Sequence, residues 1–148
     1  MNNFAGRLVL FAMQILRASE DYLETMLMMK EKHGYIRSID IAEYLGVTKP
    51  SVSYATKRLR ENGYICMDKD GLITLTPTGL EIAQRIYSRH RLLVEMLIRI
   101  GVPEHIARED ACKIEHDISN ETFDALYHHF RWHLASDETY GSGNDQKT

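Results

Sequence analysis

Cys112, Glu115 and His116 stand at i, i+3 and i+4 in the run DACKIEHDIS, Asp110–Ser119, a spacing that puts a thiol, a carboxylate and an imidazole on one face of a helix. Asp21 and Glu24, three apart in an earlier helical stretch, present two carboxylates in the same way. His90 lies among Leu80, Ala83, Tyr87, Leu93 and Leu97, so its helical position points toward a core. A donor set that mixes imidazole, carboxylate and thiolate suits Mn, Fe, Co or Zn better than Ca or Mg. Three helices could bring these six side chains together. Each piece also has an ordinary reading. A histidine on an apolar face is often a hydrogen-bonded core residue, an Asp-x-x-Glu pair is often solvated, and a lone cysteine is often buried and inert.

Positioning these groups needs helices, and the chain is patterned for them. An apolar stripe of Leu8, Phe11, Ile15, Tyr22, Met26 and Met29 predicts a first helix over about Gly6–Lys32, with Gly34 as the stop. Ser38 is the expected cap of a short helix, Ile39–Leu45, ended by Gly46. Thr48 is the expected cap of the next, about Lys49–Asn62, with Pro50 tolerated in its first turn and Gly63 closing it. Ile65–Met67 and Leu72–Leu75 read as a hairpin around an Asp-Gly turn. Thr76-Pro77 then opens a long helix to about Ile100, Gly101-Val102-Pro103 breaks it, and two helices follow over about Glu104–Asp117 and Asn120–Ala135.

The order helix, helix, turn, helix, hairpin is that of a winged helix-turn-helix, and a helical half follows it. The fold class is therefore mainly α: an N-terminal winged helix-turn-helix with a two-stranded wing, then an all-helical metal-binding and dimerisation domain. Residues 1–76 are expected to form the first part, 77–138 the second, and 139–148, polar and glycine-containing, a disordered tail.

Within Ser38–Ile65, Val52, Ala55 and Leu59 repeat at helical spacing and are expected to face the core. The other side of that helix carries short hydroxyls that can approach base edges and cations that reach phosphates or guanine. The expected DNA face comprises Arg37, Thr48, Lys49, Pro50, Ser51, Ser53, Tyr54, Lys57 and Arg58, with Lys69 at the tip of the wing. One such helix covers few base pairs, so specific binding calls for a two-fold dimer on a palindromic duplex. Phe123, Leu126, Tyr127 and Phe130 form an apolar stripe suited to that dimer interface, or alternatively to packing within their own chain.

The charge balance supports this division. The net charge is only -3, but residues 48–63 carry Lys49, Lys57, Arg58 and Arg60 against Glu61 alone, while residues 104–138 carry nine acids against Arg108, Lys113 and Arg131. A basic patch suits phosphate and an acidic one suits cations or a solvated face. Cys66 and Cys112 are far apart and in no Cys-x-x-Cys pair, which argues against a disulfide framework or zinc ribbon and fits a reducing cytoplasm. No segment approaches the ~20 apolar residues of a membrane span. No acid or base is evident beyond the metal ligands, so no enzyme and no small-molecule substrate are expected.

Several of these runs are specific. SEDYLETMLMM (Ser19–Met29), DIAEYLGVTKPSVSYATKRL (Asp40–Leu59), GLITLTPTGLEIA (Gly71–Ala83), RHRLL (Arg89–Leu93) and DACKIEHDIS (Asp110–Ser119) resemble the diphtheria toxin repressor family of metal-dependent transcriptional regulators. The two-domain length is similar to its manganese transport regulator branch. The resemblance implies a homodimeric repressor of metal homeostasis genes, bound to double-stranded DNA when Mn(II) or Fe(II) is bound, with Zn(II) or Co(II) as surrogates. It places the metal ligands at Asp21, Glu24, His90, Cys112, Glu115 and His116. An acid at position 21 is similar to the manganese branch and a cysteine at position 112 to the iron branch. Val94 and Arg108 stand where a second, ancillary site would need a carboxylate and a histidine. Residues before Arg17 extend beyond the usual family start. The alternative to metal sensing is a metal-independent winged-helix regulator that senses redox through Cys112 or Cys66.

Overall fold

The computed structural model describes residues 3–140, with side chains at 5–11 and 16–131. They divide into two compact units, one up to Ser88 and one from Arg89 onward. The boundary falls inside one continuous helix rather than at its start.

In the first unit, α1 spans Asn3–His33, starting earlier than its apolar stripe alone required. α2 spans Ser38–Leu45, α3 spans Lys49–Glu61, and β1 (Ile65–Met67) pairs antiparallel with β2 (Ile73–Leu75) in the register Cys66 opposite Thr74. Helix α4, Pro77–Arg99, begins here. The core gathers Leu23, Met26 and Leu27 of α1, Ile41 and Ala42 of α2, Val52 and Leu59 of α3, Ile65 and Ile73 of the hairpin, and Ala83 of α4. By contrast Leu8, Val9, Leu10, Phe11 and Leu16, nearer the start of α1, are each more than half exposed.

Local chemistry explains the boundaries. The Thr48 hydroxyl accepts from the Ser51 N–H at 3.3 Å, satisfying an orphan donor at the start of α3. At the other end Gly63 adopts a positive φ of 78°, and the Gly63 and Tyr64 N–H groups bond back to the carbonyls of Arg60 and Leu59. That is the paired closure a left-handed residue permits. Ser38 does not cap α2 as expected. It is the first helical residue, and the extended Arg37 precedes it without a side-chain cap bond. Arg37 is held extended because it bridges Leu72, and the Ile73 N–H donates to the Ile36 carbonyl, so the wing gains a third short extended neighbour. Ala55 is only half-buried, while Thr56 is buried at 4% exposure. A threonine is tolerated there because its hydroxyl donates to the Val52 carbonyl at 2.9 Å.

The junction into α4 is tight. The Thr76 hydroxyl donates to the Gly63 carbonyl and accepts from the Gly79 N–H, and the Thr76 N–H donates to the Tyr64 carbonyl. A Cβ at position 79 would collide with the Tyr64 carbonyl oxygen, so only glycine fits.

The second unit contains the rest of α4, then α5 (Glu104–Ile114) and α6 (Asn120–Tyr140). Gly101, at φ 102°, makes the break after α4. Leu93, Val94, Ala107 and Ala111 form its buried cluster, with Leu97, Val102 and Ile114 packed against it. Helix α5 stops at Ile114, short of the expected Asp117, and the chain turns through Glu115–Asp117. Helix α6 runs on to Tyr140; residues 141–148, expected as a tail, lie outside the described residues. Among the described residues no helix is long and apolar enough to cross a membrane.

Candidate metal centre and nucleic-acid face

Because α3 buries Val52, Thr56 and Leu59, its other face is turned outward. Lys49, Pro50, Ser51, Ser53, Tyr54, Lys57 and Arg58 are all exposed on it. The Arg58 guanidinium lies over the Tyr54 ring, and its Nη1 donates to the Tyr54 hydroxyl at 3.0 Å. This stack stiffens both side chains and leaves a flat, positively charged surface. Thr48 and Ser51 share a hydroxyl–hydroxyl hydrogen bond of 2.8 Å, so Thr48 is engaged in the cap. Lys57 approaches Glu61 at 3.9 Å, an exposed pair of little energetic weight. Arg37 is exposed with its guanidinium over the Tyr35 ring, and Lys69 is exposed in the turn of the wing. Tyr35 was not anticipated; only tertiary placement reveals the stack.

In the second unit, α4 carries His90, α5 carries Cys112, and the turn after α5 carries Glu115 and His116. His90 Nδ1 is 2.9 Å from Glu115 Oε2 and 3.7 Å from the Cys112 sulfur. His116 Nε2 is 3.2 Å from the other carboxylate oxygen, Glu115 Oε1. His90, Cys112 and Glu115 each offer one donor atom within 4.8 Å of the others. Glu115 is wholly buried, while Cys112 opens to the surface. Within the second unit the structure thus gathers His90, Cys112, Glu115 and His116. In the first unit, Asp21 is half-buried and Glu24 buried on α1, where Glu20, not anticipated, is also buried and pairs with Arg85 at 3.6 Å.

The electrostatics of the cluster favour positive charge. The Cys112 sulfur and the Glu115 carboxylate favour the imidazolium, so the pKa of His90 is pushed up to about 10 although burial works the other way. Burial works to raise the pKa of Glu115, but the imidazoles of His116 and His90 hold it below the usual carboxylate range. Glu115 Oε1 is buried and is met by His116 Nε2 at ion-pair distance rather than by a well-aligned hydrogen bond. A buried carboxylate met by one imidazole on each oxygen keeps lone pairs that a bound cation would satisfy. The donors present, one imidazole, one thiol and one carboxylate with a second imidazole beside it, fit a transition ion of intermediate softness.

A winged helix with an exposed basic face, and a second unit built around a buried imidazole–carboxylate–thiol cluster, define a DNA-binding regulator with a metal-binding half. Residues 14–73 match the family model described as the iron dependent repressor, N-terminal DNA binding domain, and residues 76–136 match the iron dependent repressor, metal binding and dimerisation domain. The chain belongs to the iron-dependent repressor family. It is 37% identical over 119 residues to the transcriptional regulator MntR of Salmonella typhimurium, covering 80% of this chain and 76% of that one. Among solved structures it is similar to the IdeR protein of T. acidophilum, with a TM-score of 0.68, 30% identity, and coverage of 75% of this chain and 53% of that one. It is also similar to the manganese regulator SloR, with a TM-score of 0.67, 28% identity, and coverage of 77% and 54%. The chain thus spans about half the length of these two solved structures.

Proposed function

We propose that this chain is a homodimeric, metal-dependent transcriptional repressor of metal homeostasis genes, acting in the cytoplasm and without enzymatic activity. It grips a palindromic operator more tightly when Mn(II) or Fe(II) is bound. The ligands are Asp21, Glu24, His90, Cys112, Glu115 and His116. Arg37, Lys49, Ser51, Ser53, Tyr54, Lys57, Arg58 and Lys69 meet the DNA, with Thr48 and Pro50 setting the start of the reading helix. Phe123, Leu126, Tyr127 and Phe130 pair the subunits. The observation that carries this reading is the buried Glu115 carboxylate, faced by His90 and Cys112, with His116 3.2 Å from its second oxygen.

Manganese and iron are both supported, the first by the likeness to a manganese regulator and the second by the iron-dependent family. Zn(II) and Co(II) are expected to serve as surrogates, since they accept the same donors. The ion supplies the positive charge that the carboxylates lack. His90, Glu115 and His116 orient one another, and Asp21 and Glu24 add carboxylates from the helix that carries the winged-helix core. Asp21 and Glu24, acting with the ligands of the second unit, would couple the reading helix to the pairing half and reduce the entropy lost on binding DNA.

The test is a duplex recovered by selection from random sequence with Mn(II) present. The unaltered chain binds it tightly with Mn(II) and weakly with a chelator. The Glu24→Ala/His90→Ala double variant binds weakly in both. Full metal dependence in that variant would refute the proposal.

A further inference from the structure

Glu115 and His116 are awkwardly placed for ligands that must be held still. Helix α5 ends at Ile114, and both residues stand on the turn that follows. The Glu115 N–H still bonds to the Ala111 carbonyl at 3.0 Å, but its carbonyl belongs to the group that every helix end leaves without an intrahelical partner. Something outside α5 has to fix the backbone at Glu115 if its carboxylate is to face His90.

That group is Arg89, the residue before His90 on α4. Its side chain is buried, with 6% exposed. Nη1 donates to the Glu115 carbonyl at 3.2 Å and to the Ile118 carbonyl at 3.3 Å, and Nη2 donates to Asn120 Oδ1. The guanidinium also lies 5.0 Å from the centre of the Phe123 ring. Among the described residues, its bonds go to carbonyl and amide oxygens, none to a carboxylate. A buried guanidinium is costly unless its charge is met, and here the Glu115 and Ile118 carbonyls and the Asn120 amide oxygen meet its two Nη groups, while Nε is buried without a hydrogen bond. One side chain thus clasps the turn bearing two ligands, the start of α6, and the helix bearing a third.

We propose that Arg89 is a positioning residue for the metal centre: its fork fixes the Glu115 backbone relative to His90 without touching the ion. The inference rests on the metal reading of the cluster. Lysine cannot replace it, because an ammonium on a flexible stem does not offer a planar fork to two carbonyls and an amide at once.

The test uses the full chain loaded with Co(II), whose visible absorption reports ligand geometry, with affinity measured by competition against a chelator. Glu115→Gln is the reference and should lose the wild-type spectrum and most of the affinity. Arg89→Lys should lower affinity roughly 10–100-fold, the usual cost of losing an outer-sphere partner, and alter the intensity and position of the visible bands. Asn120→Ala should shift both readouts in the same direction by less, and serves as the deciding variant if Arg89→Lys does not fold. A wild-type spectrum and affinity in Arg89→Lys, with thermal stability alone reduced, would overturn the proposal. So would wild-type Co(II) binding in Glu115→Gln, which would remove the metal reading beneath it.

Discussion

His90 Nδ1 sits 2.9 Å from Glu115 Oε2, joining the middle of α4 to the turn after α5 across 25 residues of sequence. The two groups are within hydrogen-bond distance, with the Cys112 sulfur 3.7 Å from the same nitrogen. The Cys112 sulfur and Glu115 carboxylate push the pKa of His90 up to about 10, so metal binding at neutral pH should displace a proton. Metal affinity should therefore rise about tenfold per pH unit between about pH 7 and 9 for each proton released. The metal-free chain behaves oppositely. Stability from a raised histidine pKa is complete below its ordinary value of 6.5 and is lost as pH rises through about 10. Mn(II) titrations in weak buffer with a pH indicator check this; a pH-independent affinity with no proton release contradicts it.

Cys112 supplies the soft member of the cluster, 3.7 Å from His90 Nδ1. Cys112→Ser should weaken Zn(II) and Co(II) more than Mn(II), because oxygen donors suit manganese and thiolate suits the softer ions. Co(II) bound to the unaltered chain should show a sulfur-to-metal charge-transfer band in the near ultraviolet that the variant lacks. The Cys66→Ser/Cys112→Ser double variant also separates metal sensing from redox sensing. Metal-dependent DNA binding should persist in it and become insensitive to oxidants. Loss of all regulation with metal binding intact would favour the redox alternative.

On the DNA face, Arg58 and Lys57 are exposed cations on the outer side of α3. Removing one phosphate-binding cation should reduce the steepness of log affinity against log salt by about 0.9. Arg58→Ala should do this and also free the Tyr54 ring, relaxing sequence preference. Anisotropy titrations at several salt concentrations read both effects. An unchanged salt slope in the Lys57→Ala/Arg58→Ala variant would place the DNA elsewhere.

Gly79 packs against the Tyr64 carbonyl, with no room for a methyl group. Gly79→Ala should destabilise the winged helix by about 1–3 kcal/mol, the ordinary cost of overpacking. Thermal unfolding measures it, and a variant as stable as the unaltered chain would show that this junction yields easily.

How much of this was readable beforehand depended on whether the deciding contact was local. The helix-turn-helix was legible because Gly46, Thr48 and Gly63 act on residues within a turn of themselves. Ser38 misled because the extended geometry at Arg37 is imposed by Leu72, far along the chain. Likewise CKIEH is helical in pattern to its last residue, yet α5 ends before Glu115, where Arg89 takes up the carbonyls. The clustered residues at positions 90, 112, 115 and 116 could be picked out from spacing and resemblance. That His90 meets Glu115 through Nδ1, and that Arg89 holds the turn, are tertiary facts with no periodicity to announce them.

If one ion and one duplex stabilise the same state, their affinities are bound together by thermodynamic reciprocity. The measurement is the Mn(II) dissociation constant of the full chain, free and saturated with its selected duplex. Metal should bind more tightly on DNA by roughly 5–150-fold, matched by the same factor in DNA affinity with and without metal. Equal Mn(II) affinity in the two states would contradict it.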